Sequence, residues 1–441
     1  MNKVLIICSN FLPVRNGGTI RCEKLAKYLP TYGWETVILT KKPSKKQKLD
    51  HAFSLNYCKI YRTKSLDIAS AIVDLRNILG RFINKFLAPG KKNTLKKTTL
   101  NTDNGNNKVK RRIADYFLVP DSDIFWAVGS IVKGISILKK EKPRVILSSG
   151  PSHSVHIVGL LLKKISKKKW IIEFRDPWTM NPFNIPKPYK LLTVIDNYLE
   201  KIVIKNADRI NVTSEEYKSQ FLKKYRFIKD EKIVQIPNGY DPEDFNFKAF
   251  DKNKKFTIVH TGNFYQHRSS SNFIDAMLYL FENDILNPTN ILVKFIGVLD
   301  DKGKSIIINS GFRDNFQITG QLSHQESINE ICNADLLLLI PGPGEGTMPG
   351  KFYEYLAAAK PIFCIADEGP AKNLIIKQNL GVVCDDNDIK KISFKLNQFI
   401  NEIKEGQFIY PSSEELKQKF NRKKIAEKMA DVFYTEAEIK H

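Results

Sequence analysis

At about 150 residues per domain, a chain of 441 residues predicts two to three domains. Its 42% hydrophobic and 27% charged content is ordinary for a globular protein, which excludes a disordered, collagen-like or disulfide-scaffold chain. The charge is unusual: 70 Lys+Arg against 47 Asp+Glu leave +23, and the first 200 residues hold 37 basic and 14 acidic side chains while the rest hold 33 of each. The whole excess therefore sits in one half, which suits an anionic partner such as nucleic acid, an anionic membrane surface or a phosphorylated substrate.

Met1-Asn2-Lys3 runs straight into a strand-like VLIIC, so no secretory leader is expected. The six cysteines (Cys8, Cys22, Cys58, Cys332, Cys364, Cys384) form no CxxC pair and read as reduced thiols of a cytoplasmic protein. The longest apolar run, Ile124–Leu138, is interrupted by Lys133 and falls short of the ~20 residues that span a bilayer.

The first forty residues read as strand (Lys3–Ser9), glycine turn (Asn16-Gly17-Gly18-Thr19), helix (Ile20–Tyr32) and strand (Thr36–Thr40). Further strands are expected at Arg144–Ser148, Trp170–Phe174, Arg209–Thr213 and Ile233–Ile236. The turn-rich Pro237-Asn238-Gly239-Tyr240-Asp241-Pro242 and a polar stretch then interrupt the pattern. A second series follows at Phe256–His260, Ile291–Ile296, Phe316–Thr319, Asp335–Ile340, Pro361–Ile365 and Gly381–Cys384. Strands alternating with helices predict an α/β protein with two Rossmann-like, doubly wound domains facing a central cleft. The boundaries predicted are 1–245, 246–413, and a terminal helix segment 414–441 able to cross back to the first domain.

Two local patterns carry chemistry. Gly17-Gly18, between a strand and a helix, lets backbone N–H groups approach an anion, yet does not fit GxGxxG and so disfavours a nicotinamide dinucleotide. In MPGKFYEYLAAAKP, Gly350 opens a helix with Lys351 in its first turn and Glu354 one turn deeper on the same face. A lysine there opposes the helix dipole unless an anion is bound, so a phosphate cation beside a carboxylate for a ribose diol is one reading and an intrahelical ion pair the other. Asp121-Ser122-Asp123 and Asp386-Asn387-Asp388 match DxD but follow no clear strand; both read as surface turns, and no metal site is expected. His156, His260 and His267 read as core or edge histidines without zinc-site spacing.

Taken in order, NGGTIRCEKLAKYLPTYGWETVILT, SSGPSHSVHIVG, EFRDPWT, IPNGYDPEDF, VHTGNFYQHR and PGKFYEYLAAAKPIFCI cover nearly the full chain. With them the sequence resembles the family-four glycosyltransferases of the GT-B fold, most nearly the branch found in bacterial surface-polysaccharide synthesis. The resemblance implies a metal-independent, retaining enzyme that moves a hexose-type sugar from a nucleoside-diphosphate donor to a saccharide or lipid-linked saccharide acceptor, with no cofactor. It places Gly17 and Gly18 at the donor diphosphate, Gly262, Asn263 and Arg268 at the pyrophosphate, and Gly350, Lys351 and Glu354 around the nucleotide. His153 falls near the donor sugar, and Asp176, at the carboxyl end of the WIIEF strand, is a candidate to orient His153, position the acceptor or act as its base. The catalytic set implied is thus His153, Asp176, Arg268 and Lys351. Two positions depart from the family pattern: Gly346 stands where the first of two paired glutamates is usual, and Asn263 where an arginine commonly follows the glycine.

Residues 68–112 form a basic insert. Ile68–Leu87 has helical apolar spacing, and Pro89–Arg112 carries Lys91, Lys92, Lys96, Lys97, Lys108, Lys110, Arg111 and Arg112 against one Asp103. It reads either as a solvated insertion or as a peripheral contact with the inner face of the cell membrane. Two alternatives to transfer stand beside it: a GT-B nucleotide-sugar epimerase or related enzyme, and a basic nucleic-acid-binding protein. The latter lacks helix-turn-helix, zinc or aromatic RNA signatures, so no nucleic-acid partner is expected.

Overall fold

The computed structural model describes residues 1–14, 17–44, 56–65, 118–181, 187, 189–245, 254–264, 269–342, 348–384, 388–411 and 413–438. The insert at 68–112, with Arg268 and His267, lies outside the described residues. The chain forms two compact units, one of Met1–Phe174, Asn184–Ile210 and Tyr434–His441, the other of Arg175–Phe183 and Asn211–Phe433.

The first sheet is built from β1 (Asn2–Ile7), β2 (Trp34–Lys41), β3 (Cys58–Thr63), β4 (Val145–Gly150), β5 (Lys169–Phe174), β6 (Arg209–Val212) and β7 (Ile233–Gln235), in the order β3-β2-β1-β4-β5-β6-β7. β1 pairs in parallel with both β2 and β4, so the connection reverses direction between β1 and β4. Val4–Ile7, Val37–Leu39, Val145–Leu147 and Trp170–Ile172 are all buried. These unbroken apolar runs are what a parallel sheet covered on both faces requires. Helix α1 (Gly17–Tyr28) continues into a 3-10 turn at Leu29–Tyr32, and α2 (Ile124–Glu141), α3 (Ser154–Ser166) and α4 (Lys190–Asn206) follow. α2 packs on α3, and α3 on α4.

β3 is the strand absent from the sequence reading. It pairs in parallel with β2 at the sheet edge, and none of its residues is fully buried. Half-exposed edge positions put no core demand on CKIYRT, so its sequence shows no apolar run.

After α5 (Glu215–Lys224), the second sheet comprises β8 (Phe256–Thr261), β9 (Ile291–Ile296), β10 (Phe316–Gly320), β11 (Leu336–Leu339), β12 (Ile362–Ile365) and β13 (Gly381–Cys384), ordered β10-β9-β8-β11-β12-β13. All its pairs are parallel. Alternation along the strands divides the core in two. Ile258, Leu336, Leu338 and Phe363 join one cluster with α6 (Ser271–Glu282) and α11 (Ile389–Lys404). Val259, Leu337, Leu339, Ile362 and Cys364 join the other, with α8 (His324–Asn333), α9 (Gly350–Ala358) and α10 (Pro370–Lys377). The remaining helices are α7 (Asp301–Asn309), α12 (Glu414–Lys419) and α13 (Arg422–Glu436).

The terminal segment breaks between α12 and α13, where the PNGY turn docks. Tyr240 N–H donates to Phe420 O (3.0 Å), Arg422 N–H donates to Tyr240 O (3.0 Å), and Arg422 Nε donates to Gly239 O (2.7 Å). A Cβ on Gly239 would sit 2.0 Å from Phe420 O, so only glycine permits this approach.

Candidate functional site

In open parallel sheets, ligands bind outside the carboxyl ends of the strands where the winding reverses. The second sheet reverses between β8 and β11, and β8, β9 and β10 each run into a glycine at that end: Gly262 (φ +129°), Gly297 (φ +126°) and Gly320 (φ +71°). Their backbones are tied together, Gly262 N–H donating to Ile296 O (2.8 Å) and Gly297 N–H to Gly320 O (2.7 Å). A Cβ on Gly297 would lie 2.3 Å from Gly262 O. Three adjacent strands thus end without side chains, leaving a floor of peptide groups. Gly262 was legible as part of HTG; Gly297 and Gly320 were missed, although each also follows a β-branched strand residue.

Asn263 has a structural task at this edge. Its side-chain oxygen accepts from Val298 N–H (2.9 Å), while Phe264 N–H donates to Val298 O (2.8 Å), lacing the β8 and β9 loops together. Phe264 stacks on His260 at 4.4 Å between ring centres. His260 is buried, as the sequence reading expected, and its Nδ1–H donates to Leu338 O (2.9 Å) across the β8–β11 seam.

Helix α9 begins at Gly350, after β11, so its amino end lies on the same edge of the sheet as the strand carboxyl ends. The residue that fixes it is Tyr355, which the sequence reading did not single out. Its hydroxyl accepts from Thr261 N–H (2.8 Å) and Thr261 Oγ1 (3.2 Å) and donates to Leu338 O (3.3 Å). Burial pushes this phenol well above its ordinary pKa, so it stays a neutral donor and acceptor. Lys351 and Glu354, four and one residues before it, are carried on the anchored helix. They meet as an ion pair at 2.9 Å, with Lys351 about one-third exposed and Glu354 half that.

The first unit repeats the arrangement at its own reversal, between β1 and β4. Gly17 and Gly18 open α1 beyond the end of β1. α1 is fixed from below by Arg21, whose guanidinium donates to Glu173 Oε1 (2.9 Å) near the end of β5, while Ser149 Oγ donates to Glu173 Oε2 (2.5 Å). Arg21 and Glu173 are both buried, and neither was singled out from the sequence.

His153 precedes α3. Asp121 sits against the start of this helix, accepting from Ser152 Oγ (2.6 Å), His153 N–H (2.6 Å), Ser154 N–H (3.1 Å) and Ser154 Oγ (2.7 Å). The reading of Asp121–Asp123 as a surface turn is therefore corrected. Asp121 neutralises the amino end of α3, and the buried Asp123 pairs with Lys41. Asp388 caps α11 through Lys390 N–H (2.9 Å), and Asp386 lies outside the described residues. Among the described residues no group of acidic, histidine or cysteine side chains could hold a metal ion.

Asp176 is assigned to the second unit and His153 to the first. Burial raises its carboxyl pKa, and the neighbouring Arg175 opposes the shift.

Profiles of two families match the chain: "Glycosyltransferase Family 4" over residues 85–244 and "Glycosyl transferases group 1" over residues 241–418. No curated protein sequence matches it. Among solved structures it is similar to sucrose-phosphate synthase from Thermosynechococcus elongatus (14% identity, 99% of each chain, TM-score 0.67). It is also similar to a glycosyltransferase from Rickettsia africae (14% identity, 99% and 98% of the chains, TM-score 0.60). A third is Anabaena HepE, solved with UDP and glucose (12% identity, 99% and 100% of the chains, TM-score 0.63). These likenesses carry the two-domain Rossmann-like fold, and the two profiles together span residues 85–418. The chain belongs to the family-four glycosyltransferases of the GT-B fold.

Proposed function

We propose that the protein is a retaining glycosyltransferase that moves a hexose-type sugar from a nucleoside-diphosphate donor to a saccharide or lipid-linked saccharide in cell-surface polysaccharide synthesis, working in the cytoplasm at the inner face of the membrane. The observation that carries this reading is the glycine-floored strand edge of Gly262, Gly297 and Gly320 beside the anchored amino end of α9. HepE, similar in fold, was solved with UDP and glucose, which supports a nucleotide-sugar donor here.

Breaking the anomeric C–O bond leaves both bonding electrons on the β-phosphate oxygen, so negative charge grows there in the transition state. The amino end of α9 supplies backbone N–H groups, and Lys351 a fixed cation; loss of one such group typically costs ~2.7–4 kcal/mol of barrier. Glu354 accepts from the ribose diol, and Arg268 is assigned as the second pyrophosphate cation. Gly17 and Gly18 give the same kind of approach at the amino end of α1. His153 is assigned to the donor sugar and Asp176 to the acceptor, where a carboxyl of raised pKa is suited to take up the acceptor's proton. With charge met by these groups, the reaction as proposed needs no metal or cofactor.

A thermal-shift screen against UDP, GDP, ADP, CMP and NAD tests the reading. One nucleoside diphosphate should raise Tm, by linkage equivalent to about 2.7 kcal/mol at a hundred times its Kd, and Glu354→Ala should abolish the shift. Equal affinity in Glu354→Ala, or stabilisation by NAD alone, refutes it.

A further inference from the structure

Three buried groups behind His153 form a hydrogen-bonded row. Trp170 Nε1–H, on β5, donates to Ser148 Oγ on β4 (2.9 Å), and that oxygen lies 2.8 Å from Nδ1 of His156 on α3. All three side chains are fully buried. An indole N–H can only donate, so it takes a lone pair of the serine oxygen and leaves the hydroxyl proton to be placed. Among the described residues, His156 Nδ1 is the one acceptor within reach of that proton. The opposite direction, from His156 to Ser148, would leave a buried hydroxyl proton with no acceptor, which protein interiors avoid. The proton of neutral His156 is therefore on Nε2.

His156 Nε2 is turned toward Gly150, and so is Nδ1 of His153. A Cβ on Gly150 would lie 2.9 Å from the first nitrogen and 3.3 Å from the second. The missing side chain lets the two rings converge, with centres 5.8 Å apart. Phe174 lies beside both, at 4.8 Å from His156 and 6.0 Å from His153. Both nitrogens are buried, whereas the His153 ring as a whole is half-buried.

A second N–H aimed at the same buried point would meet the first with like partial charges. His153 therefore keeps a lone pair on Nδ1 and carries its proton on Nε2. Its backbone is held from another direction, by the bond from His153 N–H to Asp121 Oδ2 (2.6 Å).

We propose that His156 is a positioning residue for His153, and that the row Trp170–Ser148–His156 sets which nitrogen of His153 bears the proton. The inference rests on the assignment of His153 to the donor sugar and deepens it. His153 meets the sugar as an N–H donor through Nε2, giving a hydrogen bond to a hydroxyl oxygen and taking no proton from it. Every member of the row belongs to the first unit, so the tautomer is set there before any substrate arrives.

The test is the side-chain nitrogen spectrum of the full chain labelled with 15N-histidine. It is recorded at about pH 8, above the ordinary histidine pKa of about 6.5. His153→Gln and His156→Gln each identify one ring by the signals they remove. Wild type is expected to show both rings protonated at Nε2 and bare at Nδ1. Ser148→Ala removes the donor that fixes His156, and His156→Phe removes the facing N–H; in each, His153 Nδ1 should shift toward its protonated position. In His156→Gln, whose amide restores an N–H near the place of Nε2, it should not shift. A proton on Nδ1 of either ring in wild type overturns the proposal, as does a His153 spectrum indifferent to both Ser148→Ala and His156→Phe. The wild-type spectrum decides the tautomers even where circular dichroism shows that a variant has not folded. Affinities for UDP-glucose and UDP test the underlying assignment separately. His153→Ala should weaken UDP-glucose about tenfold and leave UDP unchanged. Equal UDP-glucose affinity in His153→Ala would remove His153 from the donor sugar, while the tautomers stand or fall on the spectrum.

Discussion

Tyr355→Phe tests whether the hydroxyl at the β8–β11 seam holds the strand edge in shape. The substitution keeps the ring and its packing and removes one oxygen. Leu338 O retains the His260 Nδ1–H bond, so the groups that lose their acceptor are the Thr261 hydroxyl and, more costly, Thr261 N–H, the last amide of β8. A buried amide deprived of its acceptor costs about 1–3 kcal/mol, and a central value of about 2 kcal/mol corresponds to about thirtyfold in local opening. Tryptophan emission is a poor probe, because three of the four indoles (Trp34, Trp126, Trp170) are in the first unit. Hydrogen–deuterium exchange of a peptide covering Phe256–Phe264 reads the site directly. Exchange at its carboxyl end should accelerate about thirtyfold, with peptides from the first sheet unchanged. Affinity for the nucleoside diphosphate should fall about tenfold, because α9 loses the tether that aims Lys351 and Glu354. Unchanged protection of Thr261, or faster exchange with unchanged nucleotide affinity, would refute the link between seam and site.

Gly297→Ala should be strongly destabilising, by more than about 2 kcal/mol, since it combines a left-handed φ with a Cβ 2.3 Å from Gly262 O. Gly311→Ala, with open space around its Cβ, should be within about 1 kcal/mol of wild type; parallel thermal melts check both. Hydrogen bonds from Tyr61 and Lys3 hold the Glu141 carboxyl at about 2, below its ordinary 4.5. A depressed carboxyl stabilises the fold fully above pH 4.5, and the stabilisation disappears as pH falls from 4.5 to 2. Urea titrations at pH 6 and pH 3 should therefore show a smaller acid loss in Glu141→Gln than in wild type. Glu173→Gln should cost about 3–5 kcal/mol by leaving Arg21 buried without its counter-charge, whereas Arg21→Met with Glu173→Leu should recover part of that loss in the same titration, short of neutral because the Ser149 hydroxyl loses its acceptor. A double variant as unstable as the single one would show that the ion pair itself, rather than its desolvation balance, holds α1 in place.

What the sequence revealed and concealed divides by range. Buried parallel strands announce themselves because both faces are apolar, and the runs at VLIIC, RVILS, ILVKFI and DLLLLI each became strands. The half-exposed edge strand β3 had no such demand and was missed. In the candidate site, Gly262, Lys351 and Glu354 were legible because a strand end and a helix start are local signals. Partners distant in sequence were not. Tyr355 meets Thr261 across 94 residues and Arg21 meets Glu173 across 152. Asp121 reaches the start of α3 from 32 residues away and was misread as surface for the same reason. None of these pairings leaves a mark on either segment alone.

The Lys351–Glu354 pair is the intrahelical contact that one of the two readings of its sequence expected, and magnitudes show that it does not exclude the other. An ion pair three residues apart on a partly exposed helix contributes about 0.2–0.5 kcal/mol. A charge-assisted hydrogen bond from lysine to phosphate contributes about 1.5–3 kcal/mol. The pair would therefore yield to a diphosphate rather than compete with it, and releasing Lys351 frees both Glu354 oxygens for a diol. Without an anion, the same lysine opposes the dipole at the amino end of α9, and the neighbouring carboxylate offsets that cost. The observed contact is thus compatible with the donor site proposed above, in which Lys351 would exchange Glu354 for a diphosphate. A purely structural pair would gain more with the order reversed, placing the carboxylate in the first turn and the cation after it.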